Sequence, residues 1–385
     1  MNVVHIITGL KTGGAEAMLL KLVRASLQDG SVNQMVISLT SGGKHKALLE
    51  ELGVTVMELN LKQFWLLPIQ IWRVIQLLRA HQTHIVHAWM YHAMLFSSLV
   101  CFSLVKHRPK LLWNVRHSLH DINQEKASLR IIIKALKYCM PLVSSIIFNS
   151  RKSAVEHEAV WPCSTKAEFL PNGFEIEKWQ TKTCVASKLQ QPQVTQPALT
   201  SITNIDHANS RVFGHVGRVH PMKNHKGLII AFAQLAATQA NAHLVLIGKD
   251  TDKLDISELA TDIQSRIHRL GERDDVADIL PQLDYFVLAS SWGEGFPNAL
   301  GEAMACELPC ATTDVGDSGF LLNNKTFIVE PDNSNALFLC LQRLVNLDAV
   351  EYQALGKANR ERMVRHFSIA AIAQQYLNLY KQTSP

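Results

Sequence analysis

"RVFGHVGRVHPMKNHKGLIIAFAQLAATQ", Arg211 to Gln239, is the stretch that decides the fold. An apolar run of strand length ends at Gly217. A short polar loop with one proline follows, and then apolar residues recur at helical spacing. Strand, glycine-containing loop and helix, in that order, form half of a βαβ unit. Such units build parallel sheets covered by helices on both faces.

The same plan runs in both directions. Downstream, "AHLVLIGKD", "LDYFVLASS" and "PCATTDV" read as strands and "NALGEAMACE" as a helix. "ISELATDIQSRIHRL" and "DDVADILPQ" read as helical, separated by a turn at Gly271. A long helical stretch breaks near residue 348, and "SIAAIAQQYLNLYKQ" closes the chain. Upstream, "NVVHIIT", "NQMVISLT", "VTVMELN", "THIVHAW", "KLLWNVRHS" and "SSIIFNS" are strands. They alternate with helical segments such as "GAEAMLLKLVRASLQDG", "LPIQIWRVIQLLRAH" and "ASLRIIIKALKYCM". The expectation is an α/β protein of two doubly wound, Rossmann-like domains facing a central cleft at the carboxyl ends of both sheets. Pro171-Asn172-Gly173 is a turn signal and marks the boundary. Residues 1–172 form the first domain and 173–366 the second. Residues 180–210, polar and rich in Gln and Thr, read as a loop insertion.

Composition narrows the function. The 385 residues are 47% hydrophobic, ample for two cores, and carry a formal charge of +5. That balance suits an anionic substrate or membrane surface. No lysine/arginine run and no zinc-finger or helix-turn-helix spacing supports nucleic acid. Seven scattered cysteines without a CxxC read as reduced thiols of a cytoplasmic protein. The first residues read as a strand, not a signal peptide. Ala88 to Val105 is the most membrane-like stretch, and it reads as a buried helix. Basic-apolar faces in "FWLLPIQIWRVIQLLRAH" and "ASLRIIIKALKYCM" suit peripheral contact with an anionic leaflet.

Three loops carry chemistry. In "TGLKTGGAEAM", Gly9, Gly13 and Gly14 follow the first strand and let backbone approach a phosphate or sugar. Gly9 and Gly13 do not make a GxGxxG, and the second strand ends without a ribose-binding acid, which disfavours a nicotinamide dehydrogenase. In "HVGRVHPMKNHKG", Arg218 and Lys223 place two cations after Gly217, able to converge on one diphosphate. In "SSWGEGFPNALGEAMACELP", Ser290 to Pro309, an uncharged turn precedes a helix. Pro297 suits the first helical position, so the amides of Asn298, Ala299 and Leu300 are left to a phosphate. Glu294 precedes that turn and Glu302 lies about one turn inside the helix, flanking it with carboxylates for sugar hydroxyls. Asp250-Thr251-Asp252, a D-x-D unit, reads as an exposed turn, and no metal-ligating constellation stands out.

These residues carry a resemblance. "EGFPNALGEAMA" looks like the E-x7-E motif of the retaining nucleotide-sugar glycosyltransferases of family 4, which have the GT-B fold. "HVGRVHPMKNHKGLIIAF", "FNSRKSAVEH", "EFLPNGFEIEKW" and "LGERDDVADILPQLDYFVLASS" resemble further segments of that family. The resemblance implies that Arg218 and Lys223 bind the donor diphosphate and stabilise the leaving group. It implies that Glu302 holds the ribose and Glu294 the donor sugar. Phe296, Pro297 and Asn298 then lie beside sugar and phosphates, and backbone near Arg273 meets the base. Gly13 and Gly14 face the diphosphate and acceptor from the first domain. His117, in "WNVRHS", matches a histidine near the donor sugar, and His87 and His92 are candidates for the acceptor side. The resemblance also implies a final helix, 367–385, that crosses back to the first domain. The implied reaction is metal-independent, cofactor-free sugar transfer with retention. The donor is a nucleoside-diphosphate sugar, UDP by default, and the acceptor a glycan or lipid-linked glycan of the cell surface.

Two other readings stay open on the sequence. One is a nucleotide-sugar epimerase or hydrolase on the same plan, which would consume donor without acceptor. The other is a non-catalytic glycan- or nucleotide-binding protein.

Overall fold

A computed structural model describes residues 1–11, 13–61, 66–104, 108–119, 122–181, 199–206 and 209–383. The chain divides into two compact units: Met1–Gly173 with Ile369–Pro385, and Phe174–Ser368.

The first unit holds a seven-stranded sheet in the order β3-β2-β1-β4-β5-β6-β7. Its strands are β1 (Asn2–Ile7), β2 (Asn33–Ser38), β3 (Thr55–Glu58), β4 (Ile85–Trp89), β5 (Lys110–Val115), β6 (Val143–Phe148) and β7 (Ala167–Phe169). Every pairing is parallel. Both faces are buried, which is why the central strands read as unbroken apolar runs. Alternate residues serve different cores. Val4, Ile6, Val86, Ala88 and Trp113 pack on one face with the helices Leu67–Ala80, Met90–Phe102 and Ala127–Leu136. Val3, Ile7, Ile85, Trp89 and Leu112 pack on the other, with Gly14–Asp29 and the final helix Ile369–Thr383. The final helix buries Ile372, Ala373, Tyr376, Leu377 and Tyr380 there.

The second unit has a six-stranded parallel sheet in the order β10-β9-β8-β11-β12-β13. These are β8 (Arg211–Val216), β9 (Ala242–Ile247), β10 (Ile267–Arg269), β11 (Tyr285–Leu288), β12 (Cys310–Thr313) and β13 (Ile328–Val329). Phe213 stacks on Tyr285 at 4.7 Å between ring centroids. In each sheet the strand order reverses once, beside β1 in the first and beside β8 in the second. The loops leaving β1 and β4, and those leaving β8 and β11, therefore diverge at the carboxyl ends of their strands. Open α/β sheets bind ligands at such points.

Some expectations need correction. In "ISELATDIQSRIHRL" the helix covers only Thr261–Gln264, and Ile267–Arg269 is the edge strand β10, with Ile267 beside Leu244. Of 180–210, residues 182–198 and 207–208 lie outside the described residues, and Leu199–Thr203 is a short helix with Leu199 buried. Ala88 to Val105 begins in β4 and continues as the helix Met90–Phe102. No helix among the described residues is long and apolar enough to cross a membrane.

Candidate donor site at the β8 and β11 loops

At the second sheet's reversal, Lys223 and Glu294 meet. Lys223 Nζ donates to Glu294 Oε1 at 2.5 Å, with the two side chains only 16% and 9% exposed. The chain builds each partner rigidly. After β8, Val219 N–H donates to Lys249 O, and Pro221–Lys223 forms a single 3-10 turn whose Met222 N–H is accepted by His220 Nδ1. Asn224, at φ 50°, caps the next helix by accepting from Gly227 N–H at 3.0 Å. Lys223 therefore projects from the last residue of a locked turn.

Glu294 is held as firmly. Ser290, fully buried at the end of the β11 segment, donates its hydroxyl to Glu294 Oε1 at 2.5 Å. Thr313 of β12 donates its own hydroxyl to Ser290 O at 2.6 Å. The following turn is tied to two neighbours: Ser291 N–H donates to Met222 O, and Asp317 N–H donates to Gly295 O. Gly316, at φ 63°, lets the β12 loop pass against the backbone carbonyl of Glu294, where a Cβ would collide. One carboxylate oxygen thus accepts from an ammonium and a hydroxyl at once, two charge-assisted hydrogen bonds in a buried setting.

Around this pair, Gly217 N–H donates to Ile247 O and Gly248 N–H to Gly271 O, linking the loops after β8, β9 and β10. Arg218 is exposed beside Gly217. Under the β8 loop, His215 Nδ1–H donates to Val287 O at 2.9 Å, and the His225 ring meets it edge-on at 4.9 Å between centroids. Burial pushes the His215 pKa down to about 3, so the ring beneath this cationic loop is neutral at pH 7. The helix Asn298–Ala305 follows the glutamate turn, with Glu302 half-buried on its second turn.

In the first unit, Gly13 precedes the helix that Gly14 opens, and the Glu16 carboxylate packs over Gly13. An acid in the first turn complements that helix end. His117 follows β5, and its Nε2 lies 2.7 Å from Glu125 Oε1. Ser153 Oγ donates to His117 O at 2.6 Å, fixing the loop.

Two family models match the chain, one described as Glycosyl transferases group 1 over residues 210–346 and one as Glycosyltransferase Family 4 over residues 12–178. The chain carries a glycosyltransferase family 4 domain followed by a glycosyl transferases group 1 domain. Among curated relatives it is 27% identical over 284 residues to the UDP-Gal:alpha-D-GlcNAc-diphosphoundecaprenol alpha-1,3-galactosyltransferase of Escherichia coli, covering 69% of this chain and 68% of that one. It is 30% identical over 251 residues to a Campylobacter jejuni enzyme, the N-acetylgalactosamine-N,N'-diacetylbacillosaminyl-diphospho-undecaprenol 4-alpha-N-acetylgalactosaminyltransferase, covering 62% of this chain and 60% of that one. Across its curated matches the chain spans 41% to 68% of their length. The solved HepE of Anabaena, in complex with UDP, superposes with a TM-score of 0.77 over 99% of this chain and 100% of that chain at 20% identity. That likeness shows the GT-B fold.

The surroundings of the other residues to which the resemblance assigns roles are as follows. Phe296 is buried, with its ring 5.6 Å from Phe367 and 6.3 Å from Phe174. It anchors the turn from inside, leaving backbone rather than ring to face outward. Leu300 is likewise a core residue, while Asn298 is exposed and Ala299 half-buried. Pro297 is the N-cap, at φ −80° and ψ 96°, one residue before the first helical position. The Arg273 guanidinium is engaged by Asp275, Nε to Oδ1 at 2.8 Å and Nη2 to Oδ2 at 2.5 Å. His87 is fully buried: it donates from Nδ1 to Tyr380 Oη at 2.7 Å and accepts at Nε2 from Asn114 Nδ2 at 3.0 Å. Both ring nitrogens are spent inside the unit, so His87 lines no acceptor surface. His92, on the next helix, is exposed and borders a cavity. The D-x-D turn is tied down by Lys253 on Asp250 at 2.6 Å and by the buried Thr251 hydroxyl on Gly248 O at 2.9 Å. Ser290, Thr313, Glu16 and Glu125 escaped the sequence reading. Only Ser290, four residues before Glu294, gave a signal, as a hydroxyl ending an apolar strand.

Proposed function

We propose that this chain transfers a sugar, with retention, from a nucleoside-diphosphate donor, UDP-linked, to a lipid-diphosphate-linked glycan during cell-surface polysaccharide synthesis. The reading is carried by one observation: the Lys223–Glu294 pair at the reversal of the second sheet. An ammonium there, with the Arg218 guanidinium on the same loop, neutralises charge developing on a departing diphosphate. The Asn298–Leu300 amides and the helix end add donors for the phosphates. When the diphosphate takes the ammonium, the Glu294 carboxylate turns to the donor sugar's hydroxyls, and Glu302 holds the ribose.

The acceptor hydroxyl attacks the anomeric carbon on the face from which the phosphate oxygen leaves. The bond to phosphate breaks with its electron pair on the diphosphate, and the hydroxyl proton passes to that oxygen. Glu294, bonded to Lys223 and Ser290, acts as a hydrogen-bond acceptor rather than a covalent nucleophile. The charge work falls to protein cations, without a metal. The names of the E. coli and C. jejuni relatives, with a UDP-sugar in the first and diphosphoundecaprenol acceptors in both, support the donor and acceptor classes. The basic helices of the first unit support peripheral attachment at the cytoplasmic face of the membrane.

The test is direct. K223A and E294A should each lower transfer at least about a hundredfold, while UDP raises the Tm of the unaltered chain by mass action. EDTA should leave turnover intact. Full turnover in both variants would refute the site, and activity lost in EDTA and restored by manganese would refute the metal-free mechanism. Donor consumption without acceptor would favour the epimerase or hydrolase reading.

A further inference from the structure

Beneath the loop that follows β8, buried imidazole nitrogens of His215 and His225 have no hydrogen-bond partner among the described residues. His215 Nδ1–H is spent on Val287 O, which leaves Nε2 a bare acceptor. His225 opens the helix His225–Thr238, is only 4% exposed, and has neither ring nitrogen bonded. Burial keeps both rings neutral at pH 7, so His225 carries one N–H to give. Buried donors in native folds have partners. The acceptor beside this one is the Gly217 carbonyl, which raises the His225 pKa against burial yet lies outside hydrogen-bond geometry. That carbonyl packs on Gly248, where a Cβ would stand 2.3 Å from the oxygen. Gly217 is also where the stem of Lys223 rests: a Cβ on Gly217 would lie 3.2 Å from His215 Nε2 and 3.4 Å from Lys223 Cδ.

Planarity couples the two sides of the Gly217–Arg218 peptide. Gly217 N–H donates to Ile247 O and Val219 N–H to Lys249 O, both on the β9 side. Backbone groups of an extended chain alternate, so the Arg218 N–H between them faces the β11 side, where Lys223 meets Glu294. That N–H has no partner among the described residues. In a trans peptide the Gly217 carbonyl and the Arg218 N–H point in opposite directions. Drawing the amide outward to a phosphate oxygen therefore turns the carbonyl inward, onto His225. We infer that His225 is a positioning residue for the donor diphosphate: its N–H bonds the Gly217 carbonyl in the donor-bound loop and so holds the Arg218 amide and the Lys223 stem toward the phosphates. The inference rests on the donor reading proposed above and adds to it a residue that touches no ligand.

The test titrates the full chain calorimetrically with UDP and compares two variants of equal side-chain length. H225Q keeps an N–H donor, and H225M has none. H225Q should bind UDP within about threefold of the unaltered chain, and H225M at least about tenfold more weakly. Amide hydrogen exchange in the unaltered chain gives a second readout that needs no substitution: UDP should slow exchange of the Arg218 amide at least about tenfold. Equal affinity in all three chains, an equal loss in both variants, or an Arg218 amide that UDP leaves unprotected would each overturn the role of His225. No UDP binding by the unaltered chain speaks against the donor reading itself, whereas normal binding with H225M unimpaired speaks against His225 alone.

Discussion

Glu294 shows how much a single carboxylate depends on its neighbours. Its Oε1 accepts from Lys223 and from Ser290, and Ser290 is in turn fixed by Thr313. An ion pair this buried is worth little net stability, because desolvation offsets the attraction. Its value is placement: the partners of Glu294 decide where its second oxygen points. S290A removes one hydroxyl and keeps the fold, since serine and alanine differ little in size. It should lower kcat about ten- to hundredfold through misplacement of the carboxylate, with the UDP-induced Tm shift preserved. S290T, which keeps the hydroxyl, should recover part of the loss. An S290A enzyme with unaltered kcat would show that Lys223 alone positions Glu294. The two glutamates, the lysine and the arginine were legible in the sequence because charge beside a glycine turn stands out. The ring of Phe296 and the inward turn of His87 were not. Which way a side chain faces is a matter of register, and His87 shares its face of the sheet with His5 only because the two are paired across β1 and β4.

At the scale of elements, long strands and amphipathic helices were readable, and short edge strands were not. β7, β10 and β13 have three, three and two residues, too few for a period to emerge, and β10 forms only because β9 offers it an edge. The helix Asn298–Ala305 illustrates packing that no motif reveals. Gly301 lies against the Phe174 ring, and a Cβ at Gly301 would overlap it. G301A should therefore push the helix off Phe174, lowering stability by about 1–3 kcal/mol and weakening UDP binding because the helix's first amides move with it. Denaturant unfolding and UDP titration check both effects; unaltered UDP affinity would separate this helix from the donor site. The final helix makes a second case. Y380F deletes the hydroxyl that accepts from His87 Nδ1 and leaves a buried donor without a partner. The expected cost is about 1–3 kcal/mol, read by denaturant midpoint. No loss would mean that a water replaces the hydroxyl.

For the molecule as a whole, the telling quantity is how stability varies with pH. Four of the described histidines are fully buried: His5, His87 and His157 in the first unit and His215 in the second. Burial is the largest cause in every case. It lowers His5 and His157 to about 4 and His215 to about 3, and it holds His87 well below its usual value. In the unfolded chain each would take a proton near pH 6.5. Below that pH the unfolded state binds more protons than the folded one, so folding stability falls as pH falls. The stabilisation from neutral burial is fully present above about 6.5 and is lost progressively toward pH 4, at up to about 1.4 kcal/mol per pH unit for each group. Most carboxylates titrate below about 4.5, so the interval from pH 6.5 to 5 isolates the histidines. Denaturant midpoints at constant ionic strength should drop steadily across it. In the fold His5 stays neutral down to about pH 4 and His215, under the loop that carries Lys223, down to about pH 3. UDP binding by the folded chain should therefore hold over the same interval in which stability falls. A flat stability curve between pH 7 and 5 would mean that these rings accept protons in the fold as readily as out of it, and their burial would then play no part in holding the site together.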